Sequence, residues 1–157
     1  MDYATENTRG NNEMENLQLL PVDRDNFWEI IGLEVGKKQK SYVRSNAVSI
    51  AQSHVQPELI PLAICDGKRP VGFLMYGIDD GDYWLYRLMV DEKQQRQGYG
   101  AAAMEELLEI VRKDGERAKM YLAVDPRSEA AVNLFHQLGF RFTGQVFGKE
   151  HVMLLEW

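Results

Sequence analysis

Hydrophobic positions along this chain change their spacing several times, and each change predicts a new helix or strand. Four segments carry apolar residues three to four positions apart, which predicts helices over 25–35, 41–51, 101–115 and 128–138. Shorter β-type runs predict strands over 17–22, 62–65, 71–78, 83–90, 120–124, 140–147 and 151–155. Because helices and strands alternate, we expect a mixed α/β fold.

Two turns, one strand and one helix end refine this picture. Asp66–Pro70 and Asp79–Asp82 combine Asp with Gly, so they predict tight connections between neighbouring strands. The strand over 83–90 has apolar or aromatic residues on both faces, so we expect helices on both sides of the sheet. Gly139 is positioned to end the last helix in a left-handed conformation.

The first thirteen residues differ in composition from the rest. Asn, Thr, Gly and acidic residues surround a single tyrosine, Tyr3, so we expect 1–13 to be a flexible tail. From Leu17 onward no repeat, low-complexity stretch or linker divides the chain, and 157 residues suit one domain. The sequence therefore predicts a single domain over 14–157, large enough to bury a core without a metal or a disulfide.

Charge and cysteine content argue against several classes of protein. The 24 acidic residues outnumber the 18 basic ones, and a net charge of −6 would on average repel nucleic acid and anionic lipid. Cys65 is the single cysteine, and His54, His136 and His151 are scattered, so we expect no disulfide and no metal site. No apolar run approaches the ~20 residues of a membrane span. We therefore expect a cytoplasmic protein with neither nucleic acid nor membrane as partner.

The segment Gln95–Gly100 is the leading candidate for a binding site. It lies where a strand gives way to a long helix, and the first N–H groups of a helix have no partner inside it. The helix dipole adds partial positive charge there, and Gly98 lets a phosphate approach the main chain. A helix entrance without a ligand is the alternative. A P-loop is excluded because no Gly-Lys-Ser/Thr follows, and Ala101 interrupts a dinucleotide fingerprint.

The residues around this loop resemble the GCN5-related N-acetyltransferases. Gln95, Gly98 and Gly100 meet that family's pattern Gln/Arg-x-x-Gly-x-Gly/Ala, after the strand end Leu88–Asp91. The block Val124–Phe140 is similar to the family's second signature, a helix that ends in Gly-Phe. The resemblance extends over about 17–157. It implies a mostly antiparallel sheet of about six to seven strands, flanked by about four helices.

The same resemblance implies acetyl-CoA as the cosubstrate, without a metal, and assigns its contacts. The backbone of Leu88–Val90 would lie along the pantetheine arm, and amides over Gln95–Ala101 would hold the pyrophosphate. Ser128 stands where many members have an asparagine that faces the cofactor. The predicted contacts are therefore Leu88, Met89, Val90, Gln95, Arg96, Gln97, Gly98, Tyr99, Gly100, Ala101, Ser128 and Phe135.

Phe135 departs from the family pattern. Many members have a tyrosine at this position, thought to protonate the departing thiolate, whereas phenylalanine has no proton to give. Because a thiol has a pKa near 8.5, its thiolate is a tolerable leaving group. We expect the substitution to slow the reaction without preventing it, with a neighbouring tyrosine or water in its place.

Four residues are candidates for the acceptor side. Tyr86 stands where several relatives carry a proton-relaying glutamate, which makes it the candidate catalytic residue and amine contact; the alternative is a packed strand residue. Glu34 is either a second carboxylate or a solvated helix residue. Asp82 and Trp84, beside the other turn aspartates, would form an acidic, aromatic mouth for a cationic amine, or simply a turn in which Asp is common.

Together these residues predict an acyltransferase that moves acetyl from acetyl-CoA directly to a primary amine, since no nucleophile candidate is present. Residues 73–76 and 83–91 look closer still to the bacterial spermine/spermidine acetyltransferases, which favours a polyamine. The alternatives are another amine, such as an aminoglycoside, an amino acid or a protein N-terminus, and a non-catalytic acyl-CoA sensor. Members of this family often dimerise, so the resemblance also implies a homodimer.

Overall fold

Helices and strands follow one another in the predicted order. A computed structural model describes residues 16–37, 39–40 and 44–157 and contains, within them, four helices and seven strands. The strands are β1 Leu17–Pro21, β2 Leu59–Asp66, β3 Arg69–Asp79, β4 Asp82–Val90, β5 Lys119–Val124, β6 Arg141–Phe147 and β7 Glu150–Glu156. The helices are α1 Phe27–Gly32, α2 Asn46–Val55, α3 Tyr99–Arg112 and α4 Glu129–Gln137. A single 3-10 turn among the described residues, Glu92–Gln94, precedes α3.

The strands form one sheet in the order β1-β2-β3-β4-β5-β7-β6. Every neighbouring pair is antiparallel except β4 and β5, which run parallel. The parallel pairing ends at Leu85 and Leu122 after three residue pairs. Because β4 continues to Val90 and β5 to Val124, the two strands separate beyond this short contact, which we call the seam.

Helices cover both faces of the sheet, as the composition of β4 predicts. On one face α3 and α4 pack over the larger core, which includes Leu74, Leu107 and Phe140. On the other face α1 and α2 cover a smaller core that includes Phe73 and Met75. The alternation of Phe73, Leu74 and Met75 between the two cores follows from the two-residue period of a strand.

The boundaries of α3 and α4 agree closely with the sequence pattern. In α3, Ala103, Met104, Leu107 and Val111 are buried along one stripe, which fixes the helix against the sheet. The helix begins directly after Gly98, whose φ is 86°. Gly139 follows α4 with a φ of 103°, which confirms the predicted left-handed end.

The first helix is shorter than its hydrophobic spacing predicts. It ends at Gly32, and Asn26 stands at its N-cap. Val35 is buried even though it lies beyond the helix. Periodic apolar residues show which positions are buried, but a loop that packs on the same core gives the same signal.

The second helix begins later than predicted. The predicted start at Ser41 lies outside the described residues, whereas α2 begins at Asn46. The Ser45 hydroxyl accepts a hydrogen bond from the Val48 N–H at 3.3 Å, so this serine is the cap. The predicted tail over 1–13 also lies outside the described residues. No helix in the described part of the chain is long and apolar enough to cross a membrane.

Candidate active site

Strand β4 is irregular at the point where it leaves β5. Met75 of β3 faces Arg87, but the next residue, Tyr76, faces Leu85, so Tyr86 is an extra residue in β4. This arrangement is a β-bulge, which bends a strand and increases its twist. Because the bulge directly follows the seam, it turns the end of β4 away from β5.

Beyond the bulge, backbone groups of β4 face the gap between the two strands. The Asp91 N–H donates to the Val71 carbonyl of β3 at 2.8 Å, so residue 91 points toward β3. Strand alternation therefore directs the N–H and C=O groups of Leu88 and Val90 toward the gap, and those of Met89 toward β3. The gap is thus edged by main-chain donors and acceptors.

A cleft of about 1120 Å³ fills this gap and receives residues from both faces of the sheet. We call the part under α3 and α4 the α3 half; among its lining residues are Arg96, Gly98, Gly100, Ala101, Ser128 and Phe135. The part on the opposite face is the α2 half, lined by Val35, Gln39, Lys40, Arg44, Tyr86, Arg87, Lys149 and Glu150. The cleft therefore joins two chemically different environments through the sheet.

The first turn of α3 opens into the α3 half. The first hydrogen bond of the helix runs from the Ala102 N–H to the Gly98 carbonyl at 3.0 Å. The amides of Gly100 and Ala101 come before it, and first-turn amides have no carbonyl partner within their helix. Arg96 has a φ of 65°, so the loop reaches the helix through two left-handed residues. This geometry suits an anion.

Gln95 holds that loop in position. Its side-chain amide donates to the Val90 carbonyl at 2.9 Å and to the Gln39 side-chain oxygen at 2.8 Å. One side chain therefore connects the loop, the end of β4 and the segment before α2. Gln95 lines the cleft, and these contacts give it a positioning role.

The cleft is basic although the chain is acidic. Six basic and two acidic side chains line it, whereas the whole chain has a net charge of −6. Asp125 accepts hydrogen bonds from Arg127, at 2.7 Å for the shortest, and they lower the pKa of its carboxyl to about 2. That acid is therefore ionised and paired, and the field in the cleft favours an anionic ligand.

Helix α4 forms the apolar wall of the α3 half. Phe135 is 5% exposed and packs edge-on against Phe140, with ring centroids 5.7 Å apart. Ser128 stands at the N-cap, yet its side chain makes no capping hydrogen bond, and the residue lines the cleft. The wall contributes one hydroxyl at its entrance and an aromatic ring without a hydroxyl deeper inside.

Tyr86, the bulge residue, brings a hydroxyl to the α2 half. Burial raises the pKa of this hydroxyl, and the carboxylates of Asp79 and Glu58 raise it further. The group therefore stays protonated at neutral pH. It can donate a hydrogen bond or a proton, but it is a poor base.

Arg87 is a charged residue within an otherwise apolar and aromatic strand. It shares a face of the sheet with its cross-strand partner Met75, on the α2 side. Its Nη1 donates to the Tyr86 carbonyl at 2.6 Å, while its Nε is buried and has no hydrogen-bond partner. Burial lowers the pKa of the guanidinium, nearby Arg44 lowers it further, and Glu150 opposes them.

Two predicted residues near the loop lie outside the cleft lining. Gln97 is exposed beside Gly98. Glu34 is exposed and forms an ion pair with Lys40 at 3.8 Å. It lines a smaller neighbouring cavity of about 280 Å³. Because the chain turns away after α1, its carboxylate does not reach the larger cleft.

The predicted acidic and aromatic mouth is also outside the lining. Asp82 forms an ion pair with Lys119 at 3.6 Å, and the Trp84 ring stacks on Tyr121 with centroids 5.0 Å apart. Trp84 lies on the part of β4 that pairs with β5, where no gap exists, and Asp82 lies just before it. The predicted turn before them is confirmed, and its positive φ angles at 80 and 81 are typical of a tight hairpin.

The remaining predicted residues meet around one cleft. They are Tyr86, Leu88, Met89, Val90, Gln95, Arg96, Gly98, Tyr99, Gly100, Ala101, Ser128 and Phe135. Sequence reasoning missed Arg44, Arg87, Lys149 and Glu150. A signal existed only for Arg87, whose charge stands out in the apolar run over 83–90. Within the described ranges no group of three or more metal-ligating side chains occurs.

Comparison with known proteins identifies relatives for most of the chain. Residues 25–140 match the acetyltransferase (GNAT) family. The spermine/spermidine N(1)-acetyltransferase of Bacillus subtilis (strain 168) is 28% identical over 149 residues, which cover 89% of this chain and 98% of that protein. A probable spermine N(1)-acetyltransferase of Bacillus subtilis subsp. natto is 27% identical with the same coverage.

Solved structures confirm the predicted mixed, mostly antiparallel fold. A spermidine N-acetyltransferase from Vibrio cholerae, solved with CoA and spermine, has a TM-score of 0.71 at 17% identity and covers 90% of this chain and 96% of its own. The PaiA N-acetyltransferase from Thermoplasma acidophilum, solved with coenzyme A, has a TM-score of 0.71 at 14% identity, covering 90% and 99%. With its family match spanning most of the sequence, this chain belongs to the acetyltransferase (GNAT) family and is an acyltransferase.

Proposed function

We propose that this chain transfers an acetyl group from acetyl-CoA directly to a primary amine. The observation that carries the proposal is the basic cleft at the seam, which continues from the first turn of α3 to the α2 half. A ligand that is anionic at one end and reactive at the other suits such a passage. An amine would then approach from the opposite face of the sheet.

The α3 half fits the chemical groups of coenzyme A. Amides of Gly100 and Ala101, together with Arg96, suit the linked phosphates. Leu88 and Val90 offer main-chain groups to the amides of the pantetheine arm, as an added strand would pair with a sheet edge. Acetyl-CoA would supply the activated thioester. The relatives solved with CoA share this fold.

Direct transfer follows from the side chains available. None of the described lining residues is a cysteine or a histidine, and Cys65 is buried in β2. A serine or cysteine needs a neighbouring base before it can attack as a nucleophile. Acetyl would therefore pass to the amine without a covalent enzyme intermediate.

The amine has to lose a proton before it attacks. An alkyl ammonium has a pKa near 10 and is almost wholly protonated at pH 7. Glu150 is the carboxylate that lines the α2 half, and we assign it to receive that proton, through water where needed. Tyr86 keeps its own proton, so it is suited to donate a hydrogen bond at the reacting carbonyl or the departing sulfur.

Spermine and spermidine are the acceptors that the relatives favour, since the proteins of Bacillus and Vibrio carry them in their names. Purified protein would be incubated with acetyl-CoA and a panel of amines while released thiol is followed. We expect thiol release that depends on the amine, with an acetylated product of matching mass. Tight CoA binding without turnover on any amine would instead favour an acyl-CoA sensor, and absence of CoA binding would refute both functions.

A further inference from the structure

The α2 half holds cationic groups that coenzyme A does not explain. Arg44, before α2, and Arg87, on β4, line this half, on the opposite face of the sheet from the phosphate-binding turn of α3. Main-chain amides and Arg96 already provide for the phosphates in the α3 half. Arg44 and Arg87 therefore face whatever enters from the acceptor side.

The protein provides hydrogen-bond acceptors for only some of the N–H donors of Arg87. A guanidinium has five N–H donors in a planar fork. Arg87 uses Nη1 on the Tyr86 carbonyl at 2.6 Å and directs Nη2 to the Gln52 side-chain oxygen at a long 3.4 Å, while Nε has no partner. With the residues that the structure describes, Arg87 forms no ion pair within 4.0 Å.

A half-buried charge without a counterion is costly, so Arg87 favours an anionic partner. Glu150 is the nearby acid in this lining and attracts the Arg87 guanidinium, but the two form no ion pair. Arg44 adds a second positive charge to the same space. The pair therefore offers a guanidinium with unused donors and a neighbouring cation, which suits a carboxylate or a phosphate.

A dication would meet repulsion at the same place. Lys40 is paired with Glu34 and Lys149 acts on the ionised Asp125, but Arg44 and Arg87 form no ion pair with any described residue and together outnumber Glu150 in the α2 half. The carboxylates of Glu58 and Asp79 act on Tyr86, but neither residue lines the cleft. If the amine of an acceptor lies beside Tyr86, it is near the carboxylates that act on this tyrosine. If the remainder of the acceptor is negative, it is attracted to the basic side chains of the α2 half.

We propose that the acceptor of this acetyltransferase is a primary amine that also carries a carboxylate or phosphate group, which binds between Arg87 and Arg44. The inference rests on the acetyl transfer proposed above, and it replaces the polyamine acceptors that the relatives' names suggest with an anionic amine. Arg87 binds the anion through the guanidinium donors that the Tyr86 carbonyl and the Gln52 side chain leave unused. Because Nη1 holds the bulge carbonyl, the bound anion is registered against Tyr86 and the reacting centre.

A matched series of three-carbon amines tests the inference. The acceptors are 3-aminopropanoate, 3-aminopropylphosphonate, propylamine and 1,3-diaminopropane, which present the same primary amine beside a carboxylate, a phosphonate, a methyl group and an ammonium. With saturating acetyl-CoA, we expect kcat/KM for at least one anionic amine to exceed that for propylamine by about tenfold or more. We expect 1,3-diaminopropane to be the poorest acceptor. The two anionic arms separate carboxylate from phosphate recognition.

Two variants assign the preference to the arginines. Arg87→Gln and Arg44→Gln should each lower the ratio of kcat/KM for the preferred anionic amine to that for propylamine, by about tenfold for the half-buried Arg87 and less for exposed Arg44. Arg69→Gln is the control, because Arg69 is exposed on β3 and outside the cleft. It should leave the ratio unchanged. Arg44→Gln keeps the test decisive if Arg87→Gln does not fold.

The outcomes separate this inference from the proposed function. Equal or better turnover of 1,3-diaminopropane or spermine, with no anionic preference, would overturn the inference while acetyl transfer stands. An anionic preference that survives both arginine variants would also overturn it. Absence of thiol release with every amine would overturn both proposals together.

Discussion

The two halves of the cleft are built in opposite ways. The α3 half relies on main-chain groups from one continuous stretch, the end of β4 and the turn into α3, with α4 as its apolar wall. The α2 half relies on side chains from three separate parts of the chain: four residues before α2 (Val35, Gln39, Lys40 and Arg44), β4, and the connection from β6 into the start of β7. The first half is local in sequence, and the second exists only after the sheet has formed.

This difference predicts how each half responds to mutation. A site made of backbone amides is insensitive to most side-chain changes but sensitive to any change of backbone conformation. A site made of side chains loses specificity with single substitutions while the backbone is unaffected. Single substitutions in each half therefore test this contrast.

The strongest test is Gly98→Val in the α3 half. Gly98 has a φ of 86°, and a β-branched residue in that region costs about 1–3 kcal/mol, so the turn should relax and misdirect its amides. We expect acetyl-CoA affinity to fall by about tenfold to a hundredfold, measured by calorimetry. Gly115→Val is the matched control, because Gly115 has a φ of 70° but lies after α3 and outside the cleft.

Both glycine variants should lose thermal stability, but only Gly98→Val should lose affinity. Similar affinities in the two would mean that the main chain of this turn does not hold the cofactor. The contrast between the two halves would then fail for the α3 half.

Phe135→Tyr tests the chemistry at the wall of the α3 half. If a missing acid slows departure of the thiolate, the new hydroxyl should raise kcat by about tenfold, below the 10² of a well-placed general acid because the ring is buried. The gain should shrink above pH ~8.5, where a thiol is ionised without help. A kcat–pH profile measures the gain and its pH dependence. Phe140→Tyr is the control, because the Phe140 ring packs behind that of Phe135.

Arg96→Gln should have a modest effect in the same half. Its exposed guanidinium adds charge attraction to a site that the amides already form, so we expect acetyl-CoA affinity to fall two- to fivefold, or about 0.5–1 kcal/mol. Raising the salt concentration should erase the difference. Arg24→Gln, an exposed change far from the cleft, supplies the baseline. A hundredfold loss would show that a side chain, not the main chain, dominates this half.

Tyr83→Phe should leave both halves intact and change stability alone. Tyr83 lies on the paired part of β4, and burial and its 2.7 Å hydrogen bond to Asp114 raise its pKa to about 12. An unfolded tyrosine has a pKa near 10. The stabilisation is therefore complete below pH 10 and is lost as the pH rises through 12.

In urea unfolding at pH 8 we expect Tyr83→Phe to lower the free energy of unfolding by about 1 kcal/mol. Between pH 10 and 12 the variant should lose less stability than the unmodified chain. Its kinetic constants should not change, since Tyr83 does not line the cleft. Altered kinetics would mean that the seam transmits changes into the site.

The same division between the α3 half and the α2 half separates what the sequence could predict from what it could not. The stripe in α3, the Asp-rich hairpin and the glycines at 98 and 139 each act within a few residues, so local patterns were sufficient for them. The splay of β4 from β5 depends on the bulge at Tyr86, which is defined only by a register with β3. No local pattern could reveal that Asp82 and Trp84 lie before the gap whereas Arg87 lies beside it.

The acceptor residues show the limit most directly. Arg44, Arg87 and Glu150 are separated by more than 40 residues from one another, and a lone sequence gives no reason to bring them together. Glu34 was a candidate carboxylate near the end of the first predicted helix, yet it lies exposed after α1 and pairs with Lys40. The sequence predicts where phosphate chemistry can occur, but only the sheet order determines which charges face the acceptor.

The short seam also has a consequence for the way in which the protein folds. β2 to β4 are linked by hairpins, and so are β6 and β7, whereas β4 and β5 meet through three residue pairs across a long connection. Because the entropy lost in closing a long loop is repaid only by the contacts that form, we expect this three-pair junction to close last. A ligand that spans it would couple binding to that final step, and slower amide exchange at 83–85 and 120–122 on adding CoA would reveal the coupling.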